Sequence, residues 1–229
     1  MQPVDRLIVA FDVAQRAQGI SLAKKLRDRI GMAKIGLEAF VALGPSFVSE
    51  VKDAGLEVFL DLKLHDIPNT VAGAARQASA LGVRLLTVHA QGGAEMIRAA
   101  RAAVKSDTQI IAVTVLTSLD DAAVAAMGSP WKVEELAQTL GRVARDAGAD
   151  GLVCSAHELA TLSELGGTRV VPGIRPSGGE RADQRRVATP ADAVRAGATW
   201  IVVGRPILES ADPAGAAAKI VDEIARRGE

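Results

Sequence analysis

Short apolar runs alternate along the chain with longer amphipathic stretches that are rich in alanine. Most of the apolar runs are nearly continuous, which is typical of parallel strands covered on both faces. Eight of them predict strands, over residues 7–12, 33–36, 58–63, 85–89, 110–116, 151–155, 169–172 and 200–204. The stretches between them predict helices, over about 17–30, 45–54, 68–81, 93–105, 133–147, 157–164, 190–196 and 212–227.

Eight strands that are each followed by a helix predict an α/β fold of the (β/α)8 TIM-barrel type, with residues 1–229 in a single domain. A doubly wound open sheet is the alternative. It is disfavoured because no Gly-x-Gly-x-x-Gly pattern follows the first strand. Two long connections, 118–131 and 175–186, follow the fifth and seventh strands. Barrel enzymes place their active sites on such connections, so both are candidate lids.

Composition narrows the classes of partner. The 27 basic residues are balanced by 27 acidic ones, so the chain lacks the basic excess that is typical of nucleic-acid binding. The single cysteine, Cys154, excludes an intramolecular disulfide. The start of the chain has no signal-peptide pattern, and no apolar run approaches the roughly 20 residues of a membrane helix. We therefore expect a soluble, cytoplasmic protein with neither a membrane nor a nucleic-acid partner.

Polar side chains interrupt the apolar pattern at the carboxyl ends of the predicted strands. They are Asp12, Lys34, Asp61, Lys63, His89, Thr117 and Arg205. Any one of them could be a solvated strand end or half of a structural ion pair. In a barrel, however, these positions converge on one mouth, so together they favour a functional site.

Asp61 and Lys63 are the most informative pair. Residues two apart on a strand share a face, so the neighbouring leucines point to the helices when this pair points into the mouth. Buried charges must be paired. Asp61, Lys63 and Asp66 together form a line of alternating negative, positive and negative charges. A structural ion-pair network is the alternative interpretation. A lysine kept cationic beside carboxylates is a poor nucleophile but a competent proton donor, which indicates protonation of a carbanion rather than Schiff-base chemistry.

A phosphate site is indicated at the eighth strand, where Gly204 and Arg205 follow an apolar run. Glycine lets the backbone approach an anion, and arginine can bind phosphate through two hydrogen bonds. Gly173 and Arg175 follow the seventh strand, and the loops after these two strands commonly bind phosphate in barrels. Metal binding is weakly signalled, because the histidines 65, 89 and 157 lie on separate segments without ligand spacing.

The ten residues 61–70, Asp-Leu-Lys-Leu-His-Asp-Ile-Pro-Asn-Thr, closely resemble the signature of orotidine 5'-phosphate decarboxylases. The resemblance covers essentially the whole chain. Its further segments, in the family's order, are 10–12, 34–36, 115–118, 171–175, 183–186 and 203–206. The ten-residue signature is highly specific, whereas its Asp-x-Lys-x-x-Asp core also occurs in related barrels that handle sugar phosphates.

The resemblance implies removal of the carboxylate from carbon 6 of orotidine 5'-monophosphate, without a metal or an organic cofactor. Lys63 would protonate that carbon, and Asp61 and Asp66 would hold Lys63 and crowd the substrate carboxylate. Lys34, the fourth catalytic residue that the resemblance implies, would link this charge line to the ribose. The resemblance also implies contacts with the substrate. Asp12 and Lys34 would contact the ribose, and Thr117 the pyrimidine. The phosphate would be bound by Gln184, Gly204 and Arg205, with Arg175 beside them, and the other contacts would be Asp61, Ile67, Thr70 and Pro172. A homodimer is also implied, in which Asp66 and Thr70 reach the neighbouring subunit's site.

Two other functions compete with this one. The first is a metal-dependent barrel decarboxylase or aldolase that acts on a sugar phosphate. The second is a phospholigand-binding barrel without catalysis. Residues 65–70, which follow Lys63, favour the pyrimidine enzyme over the first alternative. The second alternative does not explain why the charged residues Asp61, Lys63 and Asp66 are present.

Overall fold

The computed structural model describes residues 1–176 and 188–226, and within them the parallel strands close into a barrel in chain order. The prediction of an eight-stranded (β/α)8 barrel is thereby confirmed. The strands are β1 Leu7–Ala10, β2 Met32–Gly36, β3 Glu57–Leu64, β4 Leu85–His89, β5 Gln109–Val113, β6 Gly151–Val153, β7 Thr168–Val171 and β8 Trp200–Val203.

Helices surround the strands. They are α1 Arg16–Leu26, α2 Leu37–Leu43, α3 Pro45–Asp53, α4 Pro68–Ala80, α5 Gly93–Ala103, α6 Asp121–Ala126, α7 Val133–Asp146, α8 Pro190–Arg195, α9 Arg205–Leu208 and α10 Pro213–Arg226. Short 3-10 turns lie at Val4–Arg6, Ala90–Gly92, Ala156–Glu158 and Ser163–Leu165. Among the described helices, none has both the length and the apolar character that crossing a membrane requires.

The strands divide the apolar core into two layers, because successive side chains point to opposite faces. Side chains on the outer face pack under the helices, as Leu60 and Leu86 do. Those on the inner face fill the barrel with a separate cluster, made of Ile8, Ala10, Met32, Phe59, Leu85, Ile111, Val170, Trp200 and Val202. This plug closes the barrel from below, so a ligand can enter only the space above it at the carboxyl ends of the strands.

The prediction of a continuous helix over 157–164 is wrong. Two 3-10 turns occupy this segment, Ala156–Glu158 and Ser163–Leu165. The backbone N–H of Ser155 donates to Oε2 of Glu158 at 2.9 Å, which closes the first turn on itself. Gly166, with φ at 58°, follows the second turn and leaves the helical conformation. Leu159 and Leu162 are buried in this segment without a regular helix.

Three helices lie in segments for which none was predicted, namely α2, α6 and the four-residue α9 that follows β8. α2 follows β2 directly and is separated from α3 by Gly44, whose φ of 72° breaks the helical path before Pro45. α6 lies inside the predicted 118–131 loop. Its first turn is capped by Asp120, whose carboxylate accepts from the N–H of Ala123 at 2.9 Å. The loop after the fifth strand thus carries a short ordered helix beside the mouth.

Candidate active site

A cavity of about 460 Å³ opens at the carboxyl ends of the strands, directly above the apolar plug. Ala10, Phe59, Val113, Val153, Val170 and Val202 form its floor and lower wall. The charged side chains that line it are Asp12, Lys34, Asp61, Lys63, Arg175 and Arg205. An apolar base below convergent charges, in a volume typical of small-molecule sites, is the usual build of a ligand pocket.

Four of these residues form an alternating line of charge along β1, β2 and β3. Nζ of Lys34 lies 3.5 Å from Oδ1 of Asp12 and 3.6 Å from Oδ2 of Asp61. On the other side of Asp61, the ammonium of Lys63 donates to Oδ1 at 2.8 Å. Asp61 and Lys34 are largely enclosed, whereas Lys63 and Asp12 are more open to the cavity. Each inner charge therefore has an opposite neighbour, as burial of charge requires.

Burial alone raises the pKa of Asp61, because it removes water from the carboxylate. Lys34 and Lys63 act in the opposite direction, and hydrogen bonds from Lys63 and Thr87 add to their effect. The net result is a pKa below the ordinary value of a carboxyl group. Asp61 is consequently an anion at neutral pH. Its contacts with Lys34, Lys63 and Thr87 hold the carboxylate at the wall of the cavity.

The backbone departs from a regular strand at Lys63, whose φ is 50°. This left-handed conformation costs a non-glycine residue roughly 1–2 kcal/mol. The register between β3 and β4 shifts between Leu60 and Leu64 at the same place. The N–H of Lys63 donates to Oγ1 of the buried Thr87 at 2.8 Å. β3 is therefore irregular at Lys63, the residue whose ammonium contacts Asp61.

Thr87 was not predicted as a site residue. It belongs to the inner face of β4, one layer above Leu85, and is completely buried. Besides accepting from Lys63, its hydroxyl donates to Oδ1 of Asp61 at 3.0 Å. The sequence contained one signal for this role. Thr87 is a polar residue in the middle of an apolar strand, and a buried polar side chain needs a hydrogen-bond partner inside the barrel.

The opposite wall carries the residues expected at the phosphate. Gly204 and Arg205 follow β8, Pro172 and Arg175 follow β7, and all four line the cavity. Thr117, after β5, lines it as well. Arg175 is almost completely buried, whereas the side chain of Arg205 is exposed. Gln184, the remaining expected contact, lies outside the described residues, together with most of the 175–186 connection.

Three further predicted residues, Asp66, Ile67 and Thr70, do not line the cavity of their own chain. They lie on the connection after β3 and the first turn of α4, and all three are exposed. Oδ1 of Asp66 accepts from the N–H of Ile67 at 2.6 Å, and within the described residues Asp66 forms no ion pair with Lys63. In one copy of the chain, the charge line thus runs from Asp12 to Lys63 and does not reach Asp66.

His89, expected at the mouth, does not line the cavity either. Its ring lies 5.4 Å from that of His65, between centroids. Burial lowers the pKa of His89 most, His65 and Lys63 lower it further, and Asp61 opposes them only in part. His89 is therefore neutral at pH 7. Over residues 1–176 and 188–226, no group of three or more histidine, cysteine, aspartate or glutamate side chains is arranged to hold a metal ion.

The fold and the cavity together define a class of protein. It is a (β/α)8 barrel whose mouth combines arginines suited to a phosphate with a lysine ammonium held against a carboxylate. An ammonium in such a place can stabilise and then protonate a developing carbanion. A lysine in this state is not prepared for nucleophilic attack, since that needs the neutral amine.

Comparisons with known proteins specify the family. Residues 5–220 match the model of the "Orotidine 5'-phosphate decarboxylase / HUMPS family". The orotidine 5'-phosphate decarboxylase of Anaeromyxobacter sp. (strain K) is 51% identical over 223 residues, which cover 96% of this chain and 98% of that protein. The protein of the same name from Moorella thermoacetica is 49% identical over 236 residues, or 98% and 94% of the two chains.

A solved structure agrees with these relatives. The crystal structure of orotidine 5'-phosphate decarboxylase from Lactobacillus acidophilus superimposes with a TM-score of 0.84 at 36% identity, and the match covers 95% of this chain and 98% of that one. The chain therefore belongs to the orotidine 5'-phosphate decarboxylase family. With relatives of that name at such identity and coverage, it is a decarboxylase, an enzyme of the carboxy-lyase class.

Proposed function

We propose that this enzyme converts orotidine 5'-monophosphate to uridine 5'-monophosphate and carbon dioxide, in pyrimidine nucleotide synthesis. One observation carries the proposal, the ammonium of Lys63 held 2.8 Å from the carboxylate of Asp61 inside a cavity with arginines on its far wall. The names of the relatives support the same substrate.

The substrate phosphate would bind on the wall formed by the segments after β7 and β8. The guanidinium of Arg205 and the backbone of Gly204 are its main ligands in this proposal, with Arg175 nearby and with Gln184 from beyond the described residues. Arginine suits the role because its planar group binds two phosphate oxygens at once. The phosphate would thereby anchor the nucleotide at the end of the cavity opposite Lys63.

The ribose would lie across Asp12 and Lys34, whose carboxylate and ammonium can accept from and donate to its hydroxyl groups. The pyrimidine would then lie deepest, above the apolar floor, with Thr117 at its polar edge and Pro172 beside it. In this orientation carbon 6 and its carboxylate face Asp61 and Lys63. The two negative groups, substrate carboxylate and Asp61, would then be crowded together.

The chemical step breaks the bond between carbon 6 and the carboxylate carbon. Carbon dioxide leaves, and the bonding electron pair remains on carbon 6 as a carbanion. The ammonium of Lys63 stabilises this developing charge and transfers one proton to it, which completes the product. Lys63 is left as a neutral amine and recovers its proton from water before the next turnover.

Binding of the remote phosphate would contribute to this step. Placing a substrate carboxylate beside Asp61 is unfavourable, and the anion must also lose water. Contacts of the phosphate with Arg205 can offset that cost, because binding energy from a group that takes no part in the reaction can hold the carboxylate in this unfavourable position. Loss of carbon dioxide then relieves the repulsion.

We propose further that the enzyme is a homodimer, with Asp66 and Thr70 completing the partner's site and Ile67 beside them. Two observations support this. Asp66 and Thr70 are exposed next to the mouth without lining their own cavity. Ile67 is 66% exposed, and Val41, on the helix after the neighbouring strand, is 81% exposed. Exposed apolar side chains on the segments that follow the adjacent strands β2 and β3 favour association.

One assay tests the reaction. Purified protein, treated with EDTA, is mixed with orotidine 5'-monophosphate, and the orotate absorbance is followed. We expect the absorbance to disappear at the same rate with and without the chelator. Absence of turnover would exclude this substrate, and loss of activity with EDTA that returns with added metal would favour the metal-dependent sugar-phosphate barrel. Cytoplasmic location remains a prediction from the sequence.

A further inference from the structure

We infer that Thr87 is a positioning residue of the active site, which holds Asp61 and Lys63 in their catalytic arrangement through a single hydroxyl group. The kinetic test of this inference rests on the proposed function, because it measures turnover of the proposed substrate. Thr87 does not line the cavity, so it acts only through the two residues that do.

The direction of both hydrogen bonds is determined by chemistry. An amide N–H can only donate, so Oγ1 of Thr87 accepts from the backbone of Lys63 at 2.8 Å. An ionised carboxylate can only accept, so the one hydroxyl proton goes to Oδ1 of Asp61 at 3.0 Å. The Thr87 hydroxyl thus donates to Asp61 and accepts from Lys63, and neither hydrogen bond can form in the opposite direction.

The bond to Lys63 replaces one that the sheet cannot make. Regular parallel pairing between β3 and β4 is interrupted between Leu60 and Leu64. The N–H of Lys63 lies in this interruption, and Lys63 has the left-handed φ of 50°. A buried N–H without an acceptor is unfavourable, so the hydroxyl of Thr87 stabilises a backbone conformation that lysine rarely adopts.

The bond to Asp61 sets the rotation of its carboxylate. Oδ1 accepts from both Thr87 and the Lys63 ammonium, at 3.0 Å and 2.8 Å. Oδ2 is thereby turned towards Lys34, 3.6 Å away. The same donor favours the ionised form, and it is one of the groups that hold the pKa of Asp61 below its ordinary value. Without the hydroxyl, Asp61 could rotate and the Lys63 backbone could relax.

Thr87→Val tests the inference, because it removes the hydroxyl and keeps the branched shape. Thr87→Ser keeps the hydroxyl. The control is Thr108→Val, at a threonine that is equally buried but lies before β5, where its hydroxyl donates to the carbonyl of Val83 at 2.9 Å. If the valine variant fails to fold, Thr87→Ala provides the same deletion with a smaller side chain.

We expect Thr87→Val to lower kcat by about 10- to 100-fold, as small misplacements of catalytic groups do. KM should change little, and the acid limb of the kcat profile should move towards neutral pH. Thr87→Ser should recover kcat to within about threefold of the parent, since the donor and acceptor are restored. Thr108→Val should leave kcat and the pH profile unchanged. Equal kcat in the parent and Thr87→Val, or equal losses in the serine and valine variants, would overturn the inference.

A crystal structure of Thr87→Val separates this inference from the proposed reaction. If the parent does not turn over the nucleotide, the proposed function fails, but the structural claim is still tested. We expect Lys63 to leave its left-handed conformation or the Asp61 carboxylate to rotate away from Lys63. Unchanged positions of both residues would overturn the inference whatever the substrate is.

Discussion

Asp61 and Lys63 are two residues apart in the chain and their charged atoms lie 2.8 Å apart, although the strand between them is irregular. Spacing on a regular strand would bring their side chains to the same face but leave them roughly 6–7 Å apart along it. The lysine side chain is long enough to span that distance, and the left-handed φ of 50° at Lys63 changes the direction in which it leaves the backbone. The contact between the two charges thus occurs at an irregular point of β3, which their spacing in the sequence does not reveal.

The phosphate wall predicts the effect of Arg205→Ala. Loss of a charged hydrogen-bond donor to phosphate is expected to lower kcat/KM for the nucleotide by about 10- to 100-fold. Inorganic phosphate should compete with the substrate in the parent and more weakly in the variant. Arg27→Ala is the control, because Arg27 is exposed at the end of α1, away from the mouth. Unchanged inhibition by phosphate in Arg205→Ala would exclude Arg205 from the phosphate site.

Sharing of the site between subunits predicts complementation. Lys63→Ala and Asp66→Ala should each be inactive, but a mixed dimer of the two contains one site with both residues intact. A statistical mixture is expected to recover about a quarter of the parent's activity. The matched control is Lys63→Ala mixed with Asp61→Ala, which leaves no intact site. Equal absence of activity in both mixtures would contradict sharing of Asp66.

The environment of His89 predicts a pH dependence of stability. Its pKa is lowered in the folded state, so below about pH 6.5 the unfolded chain binds a proton that the folded chain does not. The free energy of unfolding should therefore fall as pH decreases through 6.5 towards the folded pKa. Urea unfolding at pH 7.5 and 5.5 should show a smaller loss for His89→Gln than for the parent. His157→Gln, at an exposed histidine, should behave as the parent does. Parallel losses in all three proteins would refute this assignment.

The sequence predicted the architecture well because the barrel obeys a simple rule. Strands buried on both faces are continuously apolar, and inner positions recur every two residues. Phe59 and Asp61 lie on the inner face for that reason, and Lys63 lines the same cavity although β3 is irregular there. The helix predicted over 157–164 was wrong, because the backbone there bonds between residues three apart, as the N–H of Glu158 does to the carbonyl of Ser155, and so forms two short 3-10 turns.

The parts of the site that could not be predicted depend on contacts between distant segments. Thr87 is 24 residues from Lys63 in the chain, and its role follows only from the interrupted pairing of β3 with β4. Asp66 was expected to extend the charge line from its spacing alone. In a single chain it does not, and only the family resemblance suggested a second subunit as its destination.

The central claim is that the charged Lys63 beside Asp61 is the proton donor, and Lys63→Ala tests it most directly. Turnover of orotidine 5'-monophosphate and calorimetric binding of uridine 5'-monophosphate are measured together, with Lys25→Ala, an exposed lysine of α1, as the control. We expect product affinity to remain within about tenfold of the parent while kcat falls by at least about 10²- to 10⁴-fold, the usual contribution of a positioned acid. A variant that binds the product and turns over the substrate at the parent's rate would contradict the claim.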